Sequence, residues 1–378
     1  MEILNLISLI STALTLIYGF LVVTFITGWH KLIFFKAHNS ESKTKVSIIV
    51  AARDEELNIS KTIDDLLAQQ YPKNLTEIII IDDHSTDRTA EIVLSYVNQN
   101  VKLIKLNEDK ALNSYKKKAI QTAIGSCSGD LIITTDADCR MGEKWLSSIV
   151  DFYQIKGYKM ISSPVAYFQE HNLFERLQSL EFLYLIGLGA STIGNRKPST
   201  CNGANLAYEK KTFYEVGGFQ GIDDLASGDD ELLLHKIAAK YPDKIGFLKN
   251  QDAIVYTHAK ATLASFIQQR KRWASKSTRY KNKSIIVLGV FVWSFNVSIL
   301  ANFIAGFFIP GFFMITFYQI LAKMILESLF LWNVTGFAKR RSLMVLIPLL
   351  NVLHILYIIY IGIAGNSGKY NWKGRMVR

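Results

Sequence analysis

A long stretch without charged side chains is the feature that most constrains this chain. From Ser284 to Ala322 the sequence contains no Asp, Glu, Lys or Arg. A helix that crosses the hydrocarbon of a bilayer needs about 20 mostly apolar residues. The stretch is long enough for two such helices, and Pro310-Gly311 predicts a tight turn between them. We therefore expect a membrane protein, and the pattern excludes an ordinary soluble chain or a disordered one.

Two further apolar runs bring the expected number of membrane spans to four. Ile3 to Gly28 and Ser342 to Gly368 are both uncharged and mostly apolar. Only Met1 and Glu2 precede the first run, and no small-residue cleavage site closes it. It therefore predicts a retained signal anchor rather than a cleaved signal peptide. The expected order is one span, a polar middle and three more spans.

Basic residues beside the spans predict the side of the membrane on which the polar middle lies. Cytoplasmic segments that flank spans are enriched in Lys and Arg. The residues that place the polar middle in the cytoplasm are Lys31, Lys36, Lys43, Lys45, Arg279, Lys281, Lys283 and Lys339-Arg340-Arg341. Four spans would put the tail outside, yet the tail is also basic, with Lys369, Lys373, Arg375 and Arg378. Either the tail breaks the rule, or one apolar run is interfacial or re-entrant.

One pair of opposite charges interrupts the third span. Lys323 and Glu327 are four residues apart, so they share a helix face and can pair with each other. Two interpretations stay open. The residues form a self-neutralising pair near an interface, or they guide a polar head group.

The polar middle, about Val46 to Lys283, alternates short apolar runs with helical patterns. Runs of Val and Ile with helices between them indicate a parallel sheet covered on both faces. The expected strands are 46–52, 77–81, 101–106 and 131–135, and the expected helices include 56–69 and 86–98. The fold class is α/β, with a mostly parallel, Rossmann-like sheet domain flanked by transmembrane helices. Ligands of such sheets bind beyond the carboxyl ends of the strands.

Acidic residues follow three of these strands, where ligands are expected. The three sequences are Arg53-Asp54-Glu55-Glu56, Asp82-Asp83 and Asp136-Ala137-Asp138. Clustered carboxylates repel one another unless a cation or hydrogen-bond donors lie among them. A turn can bring both carboxylates of an Asp-x-Asp to one hard divalent ion, so we predict Mg²⁺ or Mn²⁺ at Asp136 and Asp138. The alternative is that these acids only cap helices or form turns.

The net charge indicates which kinds of partner the chain can bind, and the cysteine content indicates the compartment in which it lies. Forty-three Lys and Arg against 32 Asp and Glu give a formal charge of +11, which favours an anionic partner such as a nucleotide or an acidic lipid surface. Nucleic acid is not expected, because the basic residues cluster near membrane-flanking segments rather than with stacking aromatics. Cys127, Cys139 and Cys201 are too few and too scattered for a disulfide framework or a zinc site. We expect reduced thiols in the cytosol.

Seven stretches, in the same order, resemble the membrane-bound glycosyltransferases of family 2. They are VSIIVAARDEE, EIIIIDDHSTDRT, KKKAIQTAI, GDLIITTDADC, CNGANLAY, SGDDELLLHKI and QQRKRW. The last contains a Gln-x-x-Arg-Trp pattern similar to that of cellulose synthases, hyaluronan synthases and ceramide glucosyltransferases. The resemblance covers nearly all of the polar middle and implies the nucleotide-sugar-binding GT-A fold.

The resemblance implies a donor site, with a UDP-sugar favoured. It gives Asp83 the recognition of the base and Asp136 and Asp138 the metal-bound diphosphate. Lys118 is an alternative register for the lysine near the nucleotide. The donor-binding residues that it implies are Ala51, Arg53, Glu55, Asp83, Lys116, Asp136, Gln269, Arg272 and Trp273.

The resemblance also implies that Asp230 is the catalytic base, with Asp229 in place of the more usual Glu. A sugar hydroxyl is a poor nucleophile, so a carboxylate must take its proton as it attacks the anomeric carbon. A divalent ion, Arg272 and a lysine can stabilise the departing nucleoside diphosphate. This chemistry predicts a single displacement with inversion. The alternative for Asp229-Asp230 is an acid pair at the N-terminus of a helix over 231–239.

The sequence departs from the family pattern at three places, and these departures weaken the assignment of the nucleotide-sugar donor. His84 stands where the family often has Gly, and His258 where an acid is common. No Gly follows Arg272-Trp273 within the next few residues. The segment 268–273 also fits a basic amphipathic helix on the membrane surface, with Phe266, Ile267 and Trp273 embedded while Arg272 faces the site.

A helix and a turn border the expected acceptor entrance. Apolar residues at helical spacing predict a helix over Asn172–Gly194, either at the membrane interface or in the protein core. In the turn CNGANLAY, small residues let the backbone approach a ligand closely. The resemblance makes four residues candidates for the acceptor or sugar pocket: Asn202, Gly203, Asn205 and Asp229.

Together these expectations define four segments and one function. The segments are an N-terminal transmembrane helix (1–30), a polar linker (31–45), a cytoplasmic GT-A catalytic domain with interfacial helices (46–283) and a membrane region with three transmembrane helices (284–378). We expect an inverting transferase of the cytoplasmic membrane that moves a sugar from a nucleotide-sugar to a lipid or lipid-linked acceptor. A processive polysaccharide synthase is the alternative, although three spans after the catalytic part are few for a polymer channel. A non-catalytic protein that binds nucleotide-sugars or lipids is less favoured.

Overall fold

Short strands and helices alternate through the middle of the chain, between long apolar helices. The computed structural model describes residues 2–37, 43–108, 112, 114–276, 280, 282–365, 370–372 and 375–377. The helices are α1 (Glu2–Lys31), α2 (Ile59–Leu67), α3 (Thr89–Leu94), α4 (Tyr115–Ser126), α5 (Trp145–Lys156), α6 (Leu173–Gly194), α7 (Lys210–Glu215), α8 (Glu231–Lys240), α9 (Leu263–Ser275), α10 (Lys283–Gly306), α11 (Gly311–Phe337) and α12 (Ile347–Ala364). The strands are β1 (Val46–Ala52), β2 (Thr76–Asp82), β3 (Val101–Lys105), β4 (Leu131–Asp136), β5 (Arg140–Met141), β6 (Met160–Ser162), β7 (Val165–Tyr167), β8 (Leu206–Glu209), β9 (Ile245–Phe247), β10 (Val255–Thr257), β11 (Tyr370–Trp372) and β12 (Arg375–Val377).

These elements form two units. The sheet unit comprises Lys31–Glu170, Thr192–Ala259 and Lys369–Arg378. The membrane-helix unit comprises Met1–His30, His171–Ser191 and Lys260–Gly368. Helix α9 and most of α6 therefore group with the apolar helices, although the sequence places them inside a continuous catalytic segment.

A seven-stranded sheet forms the centre of the sheet unit, in the order β3-β2-β1-β4-β8-β6-β9. Strands β3, β2, β1 and β4 are parallel, whereas β8 runs antiparallel to both β4 and β6. The Ile residues at 78–81 of β2 are buried, as expected for a strand covered on both faces. The mostly parallel α/β sheet predicted from the sequence is confirmed.

The register of the central strands brings their carboxyl ends together. Ala52 of β1 lies opposite Asp82 of β2, and Ala51 lies opposite Asp136 of β4. The residues that follow these three strands therefore emerge at one edge of the sheet. This edge is the expected ligand-binding edge of a parallel sheet.

A small three-stranded sheet, in the order β5-β10-β7, supports the segment after Asp136. Its first strand begins at Arg140, whose guanidinium binds the carboxylate of Asp65 on α2 with two parallel bonds of 2.6 and 2.9 Å. Asp65 also accepts a hydrogen bond from the amide of Met141 at 3.0 Å. Such bidentate pairs fix orientation as well as distance. They anchor the turn that carries Asp138.

The membrane-helix unit contains four helices that are long and apolar enough to cross a membrane. They are Leu4–Lys31, Lys283–Gly306, Gly311–Phe337 and Arg341–Ala364. Within the described residues, the number of helices of membrane-spanning length equals the expected number of spans, and their insertion in a membrane stays a prediction. Pro310 precedes the first turn of α11, as the predicted break requires. Helix α11 then continues to Phe337, well beyond Ala322.

The opposite charges in α11 pair with each other in the interior of the unit. The ammonium of Lys323 donates to Glu327 at 2.7 Å and to the side-chain oxygen of Asn351 at 3.3 Å. The hydroxyl of Tyr18 also donates to Glu327. Both charged residues are buried and lie in the middle of α11, so the pair is not near the end of the span. These contacts join α1, α11 and α12.

Helix α6 is buried along most of its length, which fits the core interpretation. Glu181 on α6 forms a buried ion pair with Arg270 on α9. Phe266 on α9 packs against Phe174 and Tyr357, with ring centroids 5.7 and 5.6 Å away. Phe266 is thus covered by protein, and the expectation that it embeds in lipid is wrong.

Some residues used to predict the orientation lie outside the described part of the chain. They are Arg279, Lys281, Lys369, Lys373 and Arg378.

Candidate active site

The loops after β1 and β2 are locked together at the edge of the sheet. One guanidinium nitrogen of Arg53 donates to the carbonyls of Asp83 and His84, at 2.9 and 3.2 Å. The carboxylate of Asp54 accepts a hydrogen bond from the amide of Thr86 at 2.8 Å. Arg53 therefore holds the two loops in place, in addition to any contact with a ligand.

The backbone at His84 explains one departure from the family pattern. His84 has φ of +55°, in the left-handed region that favours glycine. Asn, Asp and His are the side chains that tolerate this region best. The ring nitrogen Nδ1 of His84 lies 3.0 Å from the carboxylate of Asp83. A histidine can therefore replace the family's glycine and still contact the acid predicted to recognise the base.

The other predicted nucleoside-pocket residues lie on the same two loops. Asp83 is 2% exposed and directly follows β2. The amide of Glu55 donates to the hydroxyl of Thr89 at 2.8 Å, and the Glu55 carboxylate accepts from Asn58 at 3.2 Å. Ala51 is partly exposed, one residue before the end of β1. The structure thus gathers Ala51, Arg53, Glu55 and Asp83 at the carboxyl ends of β1 and β2.

Lys116 joins the acids of two distant segments. Its ammonium lies 2.7 Å from Asp136 at the end of β4 and 3.4 Å from Asp229 before α8. Although burial disfavours the ammonium, Asp136 and Asp229 raise the pKa of Lys116 above its ordinary value. Lys118, the alternative register, instead pairs with Glu108 at 3.2 Å. The geometry therefore favours Lys116 as the lysine of the site.

Asp136, Asp138 and Cys139 offer ligand atoms within 4.8 Å of one another. Cys139 is fully buried, and burial together with Asp138 and Asp136 raises the pKa of its thiol. A buried neutral thiol is a poor ligand for a hard cation, whereas two partly exposed carboxylates suit Mg²⁺ or Mn²⁺. The hydroxyl of Thr257 donates to Asp138 at 3.4 Å. The donor set fits a divalent cation held by Asp136 and Asp138.

Asp230 is the N-cap residue of α8, directly before Glu231, and it contacts the turn that contains Gly203. One carboxylate oxygen accepts from the amide of Glu231 at 2.6 Å, so Asp230 caps the helix as the alternative interpretation required. The other oxygen accepts from the amide of Gly203 at 3.0 Å. Each carboxylate oxygen has a second lone pair, so the two bonds orient the group and leave it able to accept a further proton. Capping and proton acceptance are compatible at this position.

The turn beside Asp230 contains three of the four pocket candidates, and each has a different structural role. The side chain of Asn202 caps the turn by accepting from the amide of Ala204 at 2.9 Å. A Cβ atom at Gly203 would lie 3.3 Å from the carboxylate of Asp229 and 3.4 Å from the side chain of Asp230, so a larger residue would require these side chains to shift by a few tenths of an ångström.

Asn205 is fully buried. Its amide donates to the carbonyls of Pro164 and Ala253, and its oxygen accepts from the indole of Trp145. These bonds hold the turn from the protein interior, and the assignment of Asn205 to the acceptor or sugar pocket stays a prediction.

Gln269, Arg272 and Trp273 lie on α9, in the membrane-helix unit. The side-chain oxygen of Gln269 accepts from the guanidinium of Arg270 at 2.8 Å. The same guanidinium lies 4.3 Å above the ring of Trp273. Arg270, which is 2% exposed, therefore fixes two of the three residues of the motif.

Lys117 is a buried residue of the site region that the sequence does not distinguish from its neighbours. Its ammonium donates to the carbonyls of Ile222, Leu225 and Ser227, at 2.5 to 2.7 Å. These carbonyls belong to the segment directly before Asp229. The one sequence signal for this role is that three consecutive lysines lie in the first turn of α4. Adjacent residues of a helix point in different directions, so one of the three lysines must point into the protein.

The fold of the chain matches that of a solved glycosyltransferase. The mannosyltransferase PcManGT from Pyrobaculum calidifontis, determined in complex with GDP-Man and Mn²⁺, aligns with a TM-score of 0.62 and 18% identity. The alignment covers 93% of this chain and 99% of that protein. The sheet and its flanking helices therefore have the GT-A fold, as predicted.

Sequence comparisons find similarity to glycosyltransferases in the polar middle of the chain. The model of glycosyl transferase family 2 matches residues 47–217. The probable glycosyltransferase YdaM of Bacillus subtilis is 28% identical over 250 residues, 62% of this chain and 56% of that protein. The beta-monoglucosyldiacylglycerol synthase of Synechocystis is 26% identical over 233 residues, 61% of this chain and 47% of that protein. The chain thus spans about half the length of these two relatives.

Proposed function

We propose that the chain is an inverting, metal-dependent glycosyltransferase that moves a sugar from a nucleotide-sugar to a lipid or lipid-linked acceptor. The proposal places the reaction at the cytoplasmic face of the membrane, with a UDP-sugar as the favoured donor. The observation that carries it is the contact of Lys116 with both Asp136 and Asp229, because it joins the predicted metal motif to the segment of the predicted base.

The loops after β1 and β2 would bind the nucleoside. Arg53 and Asp83 are held by hydrogen bonds to neighbouring backbone and side chains, so these loops are arranged before the donor arrives. A ligand that binds a preorganised site loses less free energy to ordering of the protein. Glu55 and Ala51 line the same edge.

Lys116 would hold the diphosphate at the end of β4. Its ammonium is kept protonated by Asp136 and Asp229 and can bind an anionic oxygen of the leaving group. Asp136 and Asp138 would hold Mg²⁺ or Mn²⁺, which when bound neutralises charge on the diphosphate. The family resemblance adds Gln269, Arg272 and Trp273 to this role, and that assignment stays a prediction.

Asp230 would take the proton of the acceptor hydroxyl. The amides of Gly203 and Glu231 orient its carboxylate. As the hydroxyl oxygen attacks the anomeric carbon, its proton passes to Asp230 and the bond to the diphosphate breaks. One displacement on the face opposite the leaving group inverts the anomeric configuration. Asn202 and Gly203 would border the sugar.

Two observations support a lipid acceptor. The described part of the chain has four helices of membrane-spanning length, which suits an acceptor that arrives through the bilayer. The Synechocystis relative is named as a synthase of a glucosylated diacylglycerol. The basic residues beside the spans support a cytoplasmic site.

Release of nucleoside diphosphate by the full chain in lipid nanodiscs tests the proposal. UDP- and GDP-sugars are offered with Mg²⁺, Mn²⁺ or a chelator, together with a membrane lipid extract. We expect release with one donor, dependent on metal and acceptor lipid. Asp138→Asn should raise the metal concentration needed, because it removes one anionic ligand, whereas Asp252→Asn on the surface should behave as wild type. Release that is unaffected by chelator and by Asp138→Asn would contradict the metal assignment, and no release with any donor would contradict the activity.

The labelled product of the same reaction identifies the acceptor. A single sugar on an extractable lipid is expected. A ladder of sugars would instead favour the processive synthase.

A further inference from the structure

A pocket lies in the sheet unit, beside the edge strand β9. Its volume is about 560 Å³. Three strand positions separate β9 from β4, which carries Asp136, in the order β4-β8-β6-β9. With neighbouring strands about 4.8 Å apart, the pocket is roughly 14 Å from β4 across the sheet. It is therefore distinct from the acid cluster of the proposed active site.

The floor of the pocket is aromatic. The ring of Phe152 lies 5.0 Å from that of Phe35 and 5.4 Å from that of Tyr158, measured between centroids. Tyr158 lies directly on Gly246 of β9, where a Cβ atom would overlap the ring. This glycine is required for the ring to lie flat against the strand. The floor can therefore contact the apolar part of a ligand.

The rim of the pocket is basic. Its charged residues are Lys31, Lys156, Arg196 and Asp243. Asp243 lies 3.6 Å from Arg196, and the ammonium of Lys31 donates to the side chain of Asn195 at 2.9 Å. Three cations and one carboxylate leave an excess of two positive charges. The rim therefore favours an anionic group.

The chain itself connects this pocket to the bilayer. Lys31 lines the pocket and is also the last residue of α1, the first helix of membrane-spanning length. Ile33 and Phe34 follow after Leu32 and are 80% and 46% exposed. Large apolar side chains exposed beside a span are suited to the boundary between head groups and acyl chains.

We propose that this pocket binds the head group of an anionic phospholipid. The phosphate lies among Lys31, Lys156 and Arg196, and the glycerol and first acyl carbons lie against the aromatic floor and Ile33. A free nucleotide or phosphate shares the anionic chemistry but has no acyl chain for the exposed apolar residues. The bound lipid anchors the sheet unit at the membrane surface, independently of sugar transfer.

Retention of lipid by the full chain tests this site. The protein is reconstituted in nanodiscs of phosphatidylcholine with increasing phosphatidylglycerol, extracted into mild detergent, and examined by native mass spectrometry. The site variant Lys31→Gln, Lys156→Gln, Arg196→Gln is compared with a control of the same charge change. The control carries Lys61→Gln, Lys73→Gln and Lys144→Gln, which are exposed lysines of the sheet unit outside the pocket.

We expect wild type and control to retain one phosphatidylglycerol that the site variant loses. The variant should need roughly a hundredfold more anionic lipid, because each basic residue near an anionic head group contributes about fivefold. A separate charge-conserving variant, Lys31→Arg, Lys156→Arg, should retain most of the lipid that wild type retains. Equal loss in the control and the site variant would overturn the proposal, since it would indicate general surface attraction. Displacement of the lipid by inorganic phosphate alone would assign the pocket to a soluble anion instead.

Discussion

At the residue scale, Lys116, Lys117 and Lys118 show how one helix turn gives identical side chains different contacts. Lys116 faces the acids of the proposed active site, and Lys118 faces Glu108 at the surface. Lys117, 1% exposed, faces three carbonyls of the segment before Asp229. Successive helix positions are rotated by about 100°, so the three ammonium groups cannot share one environment.

Replacing Lys117 should loosen the segment before Asp229 and the proposed base Asp230. Lys117→Met leaves the carbonyls of Ile222, Leu225 and Ser227 without their buried donor, which costs about 3 kcal/mol. Hydrogen exchange of amides 222–228 should become about a hundredfold faster. Lys118→Met, which removes an exposed pair, is the matched control and should leave exchange unchanged. Equal exchange in the Lys117 variant and the wild type would refute the role.

Glu77 is a buried carboxylate at the opposite end of the sheet. It accepts hydrogen bonds from Ser47, Ser128 and Lys102, and thereby joins β1, β3 and the turn before β4. Burial raises its pKa, but these donors outweigh burial and lower the pKa of Glu77 from 4.5 to about 2.

The lowered pKa of Glu77 predicts how stability depends on pH. A carboxyl group whose pKa is lower in the folded state stabilises that state, and the effect is complete at pH values above the pKa in the unfolded state, near 4.5. The contribution is lost as the pH falls toward 2. Glu77→Gln should therefore lower the free energy of unfolding by roughly 2 kcal/mol at pH 7, with a smaller difference from wild type near pH 3. Denaturant unfolding of both proteins between pH 3 and 7 measures this, and a difference that does not shrink at low pH would contradict the assignment.

At the element scale, the carboxyl ends of β1, β2 and β4 could be predicted from the sequence. Their runs of Val and Ile identify buried parallel strands, and acids follow each run. The position of α6 could not be predicted, because apolar residues at helical spacing fit a core helix and an interfacial helix equally. The contacts of Asn205 could not be predicted for a related reason, since its three partners, Trp145, Pro164 and Ala253, are far from it in sequence.

The buried pair of Glu181 and Arg270 connects α6 to α9, the helix of the Gln-x-x-Arg-Trp motif. Removing one partner of a buried ion pair leaves an uncompensated charge, which costs about 3–5 kcal/mol. Arg270→Met should therefore lower the unfolding midpoint of the full chain strongly.

A double variant separates the charge of this pair from the packing of the helices. In Glu181→Met, Arg270→Met no charge is left unpaired, so the midpoint should recover much of the loss. Thermal unfolding in nanodiscs, followed by intrinsic fluorescence, measures both variants. A double variant no more stable than Arg270→Met would show that the cost lies in lost packing against Phe266 and Trp273 rather than in the unpaired charge.

At the scale of the whole molecule, the residues that the structure describes combine a GT-A sheet unit with four helices of membrane-spanning length. Both were predictable, because uncharged runs and Val/Ile strands are local patterns. The pocket beside β9 was not, because its basic residues Lys31, Lys156 and Arg196 are far apart in sequence and meet only in the fold.

Transfer of labelled sugar by Asp230→Asn tests the central claim most directly. Asparagine preserves the size of the side chain and can still cap α8, so the variant isolates the loss of the negative charge. The account predicts that the variant binds the nucleotide-sugar as tightly as wild type. It also predicts that transfer to lipid is about a hundred- to ten-thousandfold slower. Transfer at the wild-type rate by a folded Asp230→Asn protein would contradict the assignment of the catalytic base, and with it the proposed active site.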